Sequence, residues 1–523
     1  MHNSPGIFND VIGPVMRGPS SSHTAASWRA AKMAMDYLNE PLQKAIIDFD
    51  KDGAWAPNYR EQGTTVGIDG GLLNLDMTDD RMKITEQIAE DRGISIIYEI
   101  NSFPTNHVNT VRLSLEGVNG RHVQVLAASL GGGSFEIQKL DDFEVKIGGG
   151  FYELLLINNG ANPFPNDMEK MVGKARLTHN FNTKDRQLLN LKFSEPIPES
   201  ELELLKEHPG IDEVLVLNAV LPVIAGNEQS VPFDSVEDLI SYAETNDKDL
   251  GDLGLLYEQC QSGLSPEEVN AKMDHIIDII HGSISTGLAG TKYHDRILPQ
   301  QSHLIKKAQN NGKILQNKLV SDIVANVSAI MESKSAMEVV VANPTAGSCG
   351  AVGGVLKAVA DDLNCSKEAL RKAYFAAGIV GVYFARGPGF SAEEHGCQVE
   401  CGASAGMAAA GIAQLFGGSA RQAIGAASMA IQNMIGLVCD PVADRVEVPC
   451  LGKNISAAMN SLSSATMACS GYNPVIPLDE VIETVSRVSA QMPTCVKCTG
   501  KGGLAITKTA YDLKIVLANG KPV

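Results

Sequence analysis

The stretch Leu221–Val236, LPVIAGNEQSVPFDSV, carries neither the alternation of a strand nor the three-to-four-residue spacing of a helix. The chain reads differently on its two sides, so this stretch is the expected linker. Beyond it the pattern is helical: SVEDLISYAET (235–245), SPEEVNAKMDHIIDIIHG (265–282), LVSDIVANVSAIMES (319–333) and LDEVIETVSRVSAQM (478–492) repeat apolar residues at i, i+3 and i+4. Several have capping residues in front. The region 235–523 is therefore expected to be an all-α domain interrupted by Gly-rich loops.

On the other side, apolar runs of strand length alternate with helical segments. AIIDFD (45–50), GISIIYEI (93–100), TVRLSLEG (110–117) and HVQVLAAS (122–129) read as strands, and AASWRAAKMAMDYL (25–38) as a helix that Pro19 to Thr24 would cap. Residues 1–145 are expected to form an α/β domain. Residues 146–222 give strand, strand, helix (ESELELLKEHPG) and strand (IDEVLVLNAV), which suits a small βαββαβ-like α+β module.

Bulk composition narrows the function. The chain has 523 residues, 44% apolar and 20% charged, and a net charge of −18 from 61 acidic and 43 basic side chains. No basic, aromatic-rich patch stands out, so nucleic acid and membrane surfaces are excluded as expected partners. The first residues, MHNSPGIFND, lack the basic and apolar regions of a secretory leader, and the expectation is a cytoplasmic protein. Ten cysteines in a reducing compartment point to buried thiols, a metal site or a reactive thiol.

Three of those cysteines sit beside turn formers: Cys397 in GCQVECGAS (396–404), Cys439 in LVCDPV (437–442) and Cys450 in VEVPCLGKN (446–454). A thiolate there gains from free backbone amides. Separations of 42 and 11 residues do not match the paired knuckles of a zinc ribbon. By spacing alone, the favoured reading of any one of them is a small buried hydrophobe under a turn. PTAGSCGAVGG (344–354) and PSSSHT (19–24) are the other unusual stretches, each a mouth where amides and hydroxyls suit an anion.

Taken together, GPSSSHT, PTAGSCG, GCQ-x-E, the LVCDPV and VPC segments and GGLAIT resemble the iron-sulfur-dependent L-serine dehydratases. The resemblance spans most of the chain, residues 1 to about 220 being similar to the family's β portion and those from about 235 to its α portion. It implies a 4Fe-4S cluster held by Cys397, Cys439 and Cys450, no pyridoxal phosphate, an amino-acid substrate and a homodimer. Three thiolates leave one iron open, to act as a Lewis acid on the leaving hydroxyl. It also tips Ser20, Ser21, Ser22 and Thr24, with Thr345, Gly347 and Ser348, toward substrate binding. His23 is the first candidate base, with His107 and His395 behind it. Asn109 belongs to a His-x-Asn motif with His107. Glu400, Asn433 and Asn454 are expected around the cluster or substrate, and Lys453 is either a desolvated base or an exposed lysine.

Two departures matter. Where the β portion commonly has Gly-His-Gly-Thr, this chain reads YREQGTT (59–65), placing Gln62 in the histidine position ahead of Thr64. Glutamine is no base, so another group takes the proton or the substrate differs. The chain ends LANGKPV rather than on a cysteine, leaving Cys498 of PTCVKCTGKGG as a candidate fourth ligand. The middle module resembles an ACT-type ligand-binding domain. The leading reading is dehydration and deamination of L-serine to pyruvate and ammonia. The alternatives are a cluster-dependent lyase on threonine or cysteine, and a ligand-sensing iron-sulfur protein without catalysis.

Overall fold

A computed structural model describes residues 4–159, 164, 172–224 and 229–520. Part of the expected linker, 225–228, and most of the connection 160–171 in the middle module lie outside the described residues.

The first strand, β1 (Val15–Met16), leads into α1 (Ala26–Leu38). A six-stranded mixed sheet follows, from β2 (Leu42–Asp50), β3 (Ser95–Asn101), β4 (Thr110–Gly117), β5 (His122–Gly131), β6 (Ser134–Leu140) and β7 (Phe143–Ile147), in the order β3-β2-β4-β5-β6-β7. Only β2 and β3 run parallel, because the chain between them carries α2 (Thr64–Leu72) and α3 (Thr85–Asp91). Alternate residues Val111, Leu113 and Leu115 of β4 join Ala30, Met33, Ala34 and Tyr37 of α1 in one buried cluster. Two of the three glycines in α2 fix its approach to α1: a Cβ on Gly67 would lie 2.2 Å from the Thr24 carbonyl oxygen, and one on Gly71 2.6 Å from that of Trp28. Only a bare backbone lets α2 lie this close.

The middle module is a four-stranded antiparallel sheet of β8 (Tyr152–Asn158), β9 (Leu177–Asn182), β10 (Gln187–Phe193) and β11 (Glu213–Leu217), ordered β11-β8-β10-β9, with the helix Glu199–Lys206 against it. Leu155 and Ile157 face the cluster of the large sheet, while Leu154 and Leu156 face the module's own core. Both faces are covered, which explains a strand apolar at consecutive positions.

From Val236 onward the chain is helical apart from the short β12 (Val340–Val341). At its centre lies Cys401–Leu415, buried on nearly every side and composed mostly of Ala and Gly, so neighbouring helices pack close to it. The two halves are not separate bodies in the core. Ile7, Phe8, Val11 and Ile12 belong to the helical cluster, and β1 pairs antiparallel with β12. No helix among the described residues is long and apolar enough to cross a membrane.

Candidate active site

Ser21–Ala25 form a single wide π-type turn ahead of α1, and Ser20, Ser21, Ser22, His23 and Thr24 are all buried. The capping expected of these side chains is not made. The Ser21 and Ser22 hydroxyls face the other half of the chain instead, while Ser20 Oγ stays beside His23. Ser21 Oγ accepts from the Ala346 amide at 3.2 Å, and Ser22 Oγ donates to Glu393 Oε1 at 3.0 Å. Thr24 Oγ1 turns back to the Gln62 carbonyl.

His23 is fully buried, its ring 5.4 Å from that of Trp55. Nδ1 lies 3.1 Å from both Ser20 Oγ and Ser22 Oγ and 3.6 Å from Glu393 Oε1; Nε2 lies 3.2 Å from the Asn58 amide. The Asn58 orientation that satisfies both its ends donates its N–H to Nε2 and accepts from Gln62 Nε2 at 2.9 Å. Burial pushes the His23 pKa down, and the Glu393 charge opposes that.

The helical half contributes three loops. Gly396, at φ +76°, turns the chain between Ala392–His395 and Cys397. Cys397 is within hydrogen-bond reach of the Cys401 thiol, which lowers its pKa to about 7, whereas the bond to Cys397 raises that of Cys401. Cys439 and Cys498 are likewise within hydrogen-bond reach, but both are raised: Cys439 by that bond and by burial, and Cys498 because burial and the nearby carboxylates outweigh the lowering by the bond. The backbone bonds Cys439 N to the Val496 carbonyl and Cys498 N to the Cys439 carbonyl hold them. Gln62 Nε2 donates to Cys498 Sγ at 3.8 Å, which brings the first half of the chain to the same place. Cys450 opens the helix Cys450–Cys469, and burial raises its pKa to about 12.

Lys453 lies among all three. Its Nζ donates to the Val438 carbonyl at 2.6 Å and Asp440 Oδ1 at 2.7 Å. Burial acts to lower its pKa, but the charges of Cys397, Cys439 and Cys450 outweigh this and raise it. Lys453 is therefore not the exposed lysine that the sequence allowed: it is a largely buried side chain paired with Asp440 beside three thiols. Lys334, fully buried, adds a second, donating to the Val446 carbonyl and acting on Cys450 and Glu400.

The Gly-rich loop is not the open anion nest that its composition suggests. Asn454 Oδ1 already accepts from the Gly350 and Ala351 amides at 3.1 Å, and its Nδ2 donates to the Gly347 and Cys450 carbonyls. The Ser348 amide is taken by Thr345 Oγ1, whose own proton goes to Glu400 Oε1 at 2.7 Å. Burial, then the Cys397 charge, pushes Glu400 up to about 8.

Unpartnered buried polar atoms lie elsewhere: Gln62 Oε1, Thr64 Oγ1, and both amide atoms of Asn109 and of Asn343. Such atoms are costly unless a ligand or water meets them. His107 reaches Glu394 Oε2 at 3.6 Å and accepts the backbone N–H of Asn109 at Nδ1. Asn433 departs from the expectation. It is exposed at the end of the helix Ala420–Gln432 and donates to Asn460, away from the cysteines. The sequence reading missed Glu393, Asn58, Asn343 and Lys334. Their only local signal is that Glu393 stands four residues ahead of Cys397, and Asn58 just ahead of YREQGTT.

All ten cysteines are free. Among the described residues, no three His, Cys, Asp or Glu side chains are gathered for a single metal ion. A cluster asks for something looser, because each thiolate binds a different iron. Three buried thiols around a fixed cation suit that group.

The profile of the serine dehydratase alpha-chain family matches residues 190–505. A relative named "Probable L-serine dehydratase, alpha chain" from Bacillus subtilis (strain 168) is 35% identical over 288 residues, 55% of this chain and 96% of the relative. The L-serine dehydratase alpha chain of Peptoniphilus asaccharolyticus is 32% identical over 264 residues, 50% of this chain and 90% of the relative. A separate protein of Bacillus subtilis (strain 168), "Probable L-serine dehydratase, beta chain", is 37% identical over 150 residues, 29% of this chain and 67% of its own length. The chain thus belongs to the serine dehydratase alpha-chain family, with a region similar to the separate beta chain fused into the same polypeptide.

Proposed function

We propose that the protein is a 4Fe-4S-dependent L-serine dehydratase, releasing pyruvate and ammonia, with Cys397, Cys439 and Cys450 as cluster ligands and Cys498 as a candidate fourth. The observation that carries this reading is the gathering of three buried thiols around Lys453, joined through Cys498 to Gln62 of the other half. A cluster held there supplies a Lewis-acidic iron toward the substrate hydroxyl. The lysine cations Lys453 and Lys334 offset the negative charge of the thiolates, and the fixed geometry of Asn454 keeps the loop Thr345–Ser348 against the helix that begins at Cys450.

Substrate polar groups would meet the atoms left unpartnered. The amide of Asn109 and the hydroxyl of Thr64 can donate to the carboxylate, as can Asn343, while Gln62 Oε1, an acceptor, suits the ammonium group. His23 takes the Cα proton at Nε2, displacing the Asn58 N–H that holds that lone pair before substrate binds. Glu400, raised by burial, holds a proton that keeps it neutral beside the thiolates. The strand order of β8–β11 supports reading the middle module as ACT-like.

Anaerobic purification, iron and sulfide analysis, and a pyruvate or oxobutyrate assay with serine, threonine and cysteine test this reading. Four irons and four sulfides per chain with turnover of serine above the other two is the expected result. Protein that binds no iron after anaerobic reconstitution overturns it, and preference for cysteine would move the activity to desulfidation.

A further inference from the structure

Glu393 has no assigned part in the reaction, yet it terminates a directed chain of hydrogen bonds. It lies in the short helix Ala392–His395, is 6% exposed, and accepts from Ser22 Oγ at Oε1 (3.0 Å) and from Ser391 Oγ at Oε2 (3.1 Å). The first of those bonds crosses from one half of the molecule to the other. Behind Ser22 stands His23, and behind His23 stand Asn58 and Gln62.

We propose that Glu393 is a positioning residue: by drawing the proton of Ser22 it leaves that hydroxyl to accept from His23 Nδ1–H, and so holds the ring in the tautomer whose Nε2 carries the lone pair. Ser22 has one hydroxyl hydrogen, and with it on Glu393 the oxygen can only accept, from Nδ1–H at 3.1 Å and from the Ser20 hydroxyl at 3.2 Å. Ser20 Oγ, also 3.1 Å from Nδ1, is compatible with that arrangement, and the Asn58 side decides between the tautomers. At the far side the Asn58 amide sits between Nε2 and the carbonyls of Trp55 and Ala54, which its nitrogen satisfies and its oxygen would repel. Nε2 must then be an acceptor. Both ends of the ring fit the same tautomer.

The carboxylate has a second effect once the ring is charged. As the Cα–H bond breaks, its proton goes to Nε2 and its electron pair becomes the Cα–Cβ π bond while hydroxide leaves with the C–O pair. That leaves an imidazolium in a site closed to water, with the Glu393 carboxylate 3.6 Å from Nδ1 as its nearest countercharge. The groups facing His23 are Ser20 and Ser22 from its own turn, Asn58 and Trp55 from the segment after β2, and Glu393 from the helical half. Behind Glu393 are Ser391, Glu400 and the Cys498 thiol, so no second cation competes for it among these neighbours.

This inference rests on His23 as the base, and the test separates the two. In anaerobic holoenzyme labelled with 15N-histidine, the His23 ring, assigned by its loss in His23→Gln, is expected as the Nδ1–H form and to leave that form in Glu393→Gln. The same variant should lower kcat by roughly 10²-fold with KM changed less than about threefold. The acidic limb of kcat should move to lower pH, because a buried ring without its countercharge gains a proton less readily. Wild-type tautomer, kcat and pH profile in Glu393→Gln overturn the proposal. If that variant does not fold, Ser22→Ala gives the same reading from the other side: an unchanged tautomer overturns the proposal and a lost Nδ1–H form supports it. Should His23→Gln keep full turnover while Glu393→Gln still changes the tautomer, the base is another group and the positioning stands.

Discussion

Single residues divide sharply into those whose chemistry shows in the sequence and those that the fold creates. The cysteines at 397, 439 and 450 stand out because each lies within two residues of Gly or Pro in a helical region. That pattern alone also fits a buried thiol under a turn, and all three are buried. Glu393 is not legible, because its partner Ser22 lies 371 residues away. Asn454 shows how much one amide can hold: it bonds the Gly347 and Cys450 carbonyls and the Gly350 and Ala351 amides, all buried. Asn454→Ala is expected to destabilise the protein by roughly 3 kcal/mol, because each buried group left unpaired costs about 1–3 kcal/mol. Urea unfolding of the two proteins measures this, and a difference under about 1 kcal/mol would show the loop Thr345–Ser348 to be held by other contacts. At Gln62 the expectation concerns binding. If its Oε1 receives the substrate ammonium, Gln62→Ala should raise KM for serine by about tenfold with a smaller change in kcat, the worth of one hydrogen bond to a charged group. Steady-state kinetics decide it, and a fall confined to kcat would place the role of Gln62 in holding Asn58 against His23 instead.

Among elements, strands and helices were readable from periodicity, while the mouths between them were not. TVRLSLEG and HVQVLAAS alternate cleanly and become neighbouring strands β4 and β5. The turn PSSSHT and the loop PTAGSCG read as sites for an anion; in the fold the Ser21 and Ser22 hydroxyls bond across the domain boundary and Asn454 takes the Gly350 and Ala351 amides. Composition marks where amides are dense and cannot tell what already occupies them. The contact between α2 and β3 yields a test of a different kind. Tyr98 of β3 donates to Asp69 of α2 at 2.5 Å, and burial raises Asp69 to about 7 despite that bond. A carboxyl whose folded pKa exceeds its unfolded one binds more protons when folded, so its contribution to stability falls as pH rises from about 4 through about 7. Asp69→Asn removes that dependence. Relative to the wild type, the variant should gain stability steadily across this window and no further above it, as read by urea unfolding at a series of pH values. A gap that stays flat with pH would mean that Asp69 is charged throughout.

At the scale of the molecule, the order of an α/β half followed by a helical half was legible in the change of periodicity, but their interdependence was not. Nothing in the sequence says that Ile7, Phe8 and Val11 leave the α/β half to sit in the helical core. The site has the same character, since Ser21 meets Ala346, Ser22 meets Glu393 and Gln62 meets Cys498. Two separate proteins of Bacillus subtilis match different lengths of this chain, so the same contacts can in principle be made between chains. Co-expression of residues 1–224 and 229–523 as two polypeptides should therefore give a complex that survives size-exclusion chromatography and retains serine turnover. The apolar residues at 7–12 supply association that does not depend on the linker: truncating a fully buried Phe typically costs about 3–5 kcal/mol. Phe8→Ala in the shorter polypeptide should weaken the complex by more than about 100-fold, since 1.4 kcal/mol corresponds to a factor of ten. In the single chain the same substitution should lower the melting temperature without separating the halves, because the linker keeps their effective concentration high. Equal affinity for the Phe8→Ala and unaltered pieces would show that the β1–β12 pairing and the polar site contacts, rather than the N-terminal apolar turn, join the two halves.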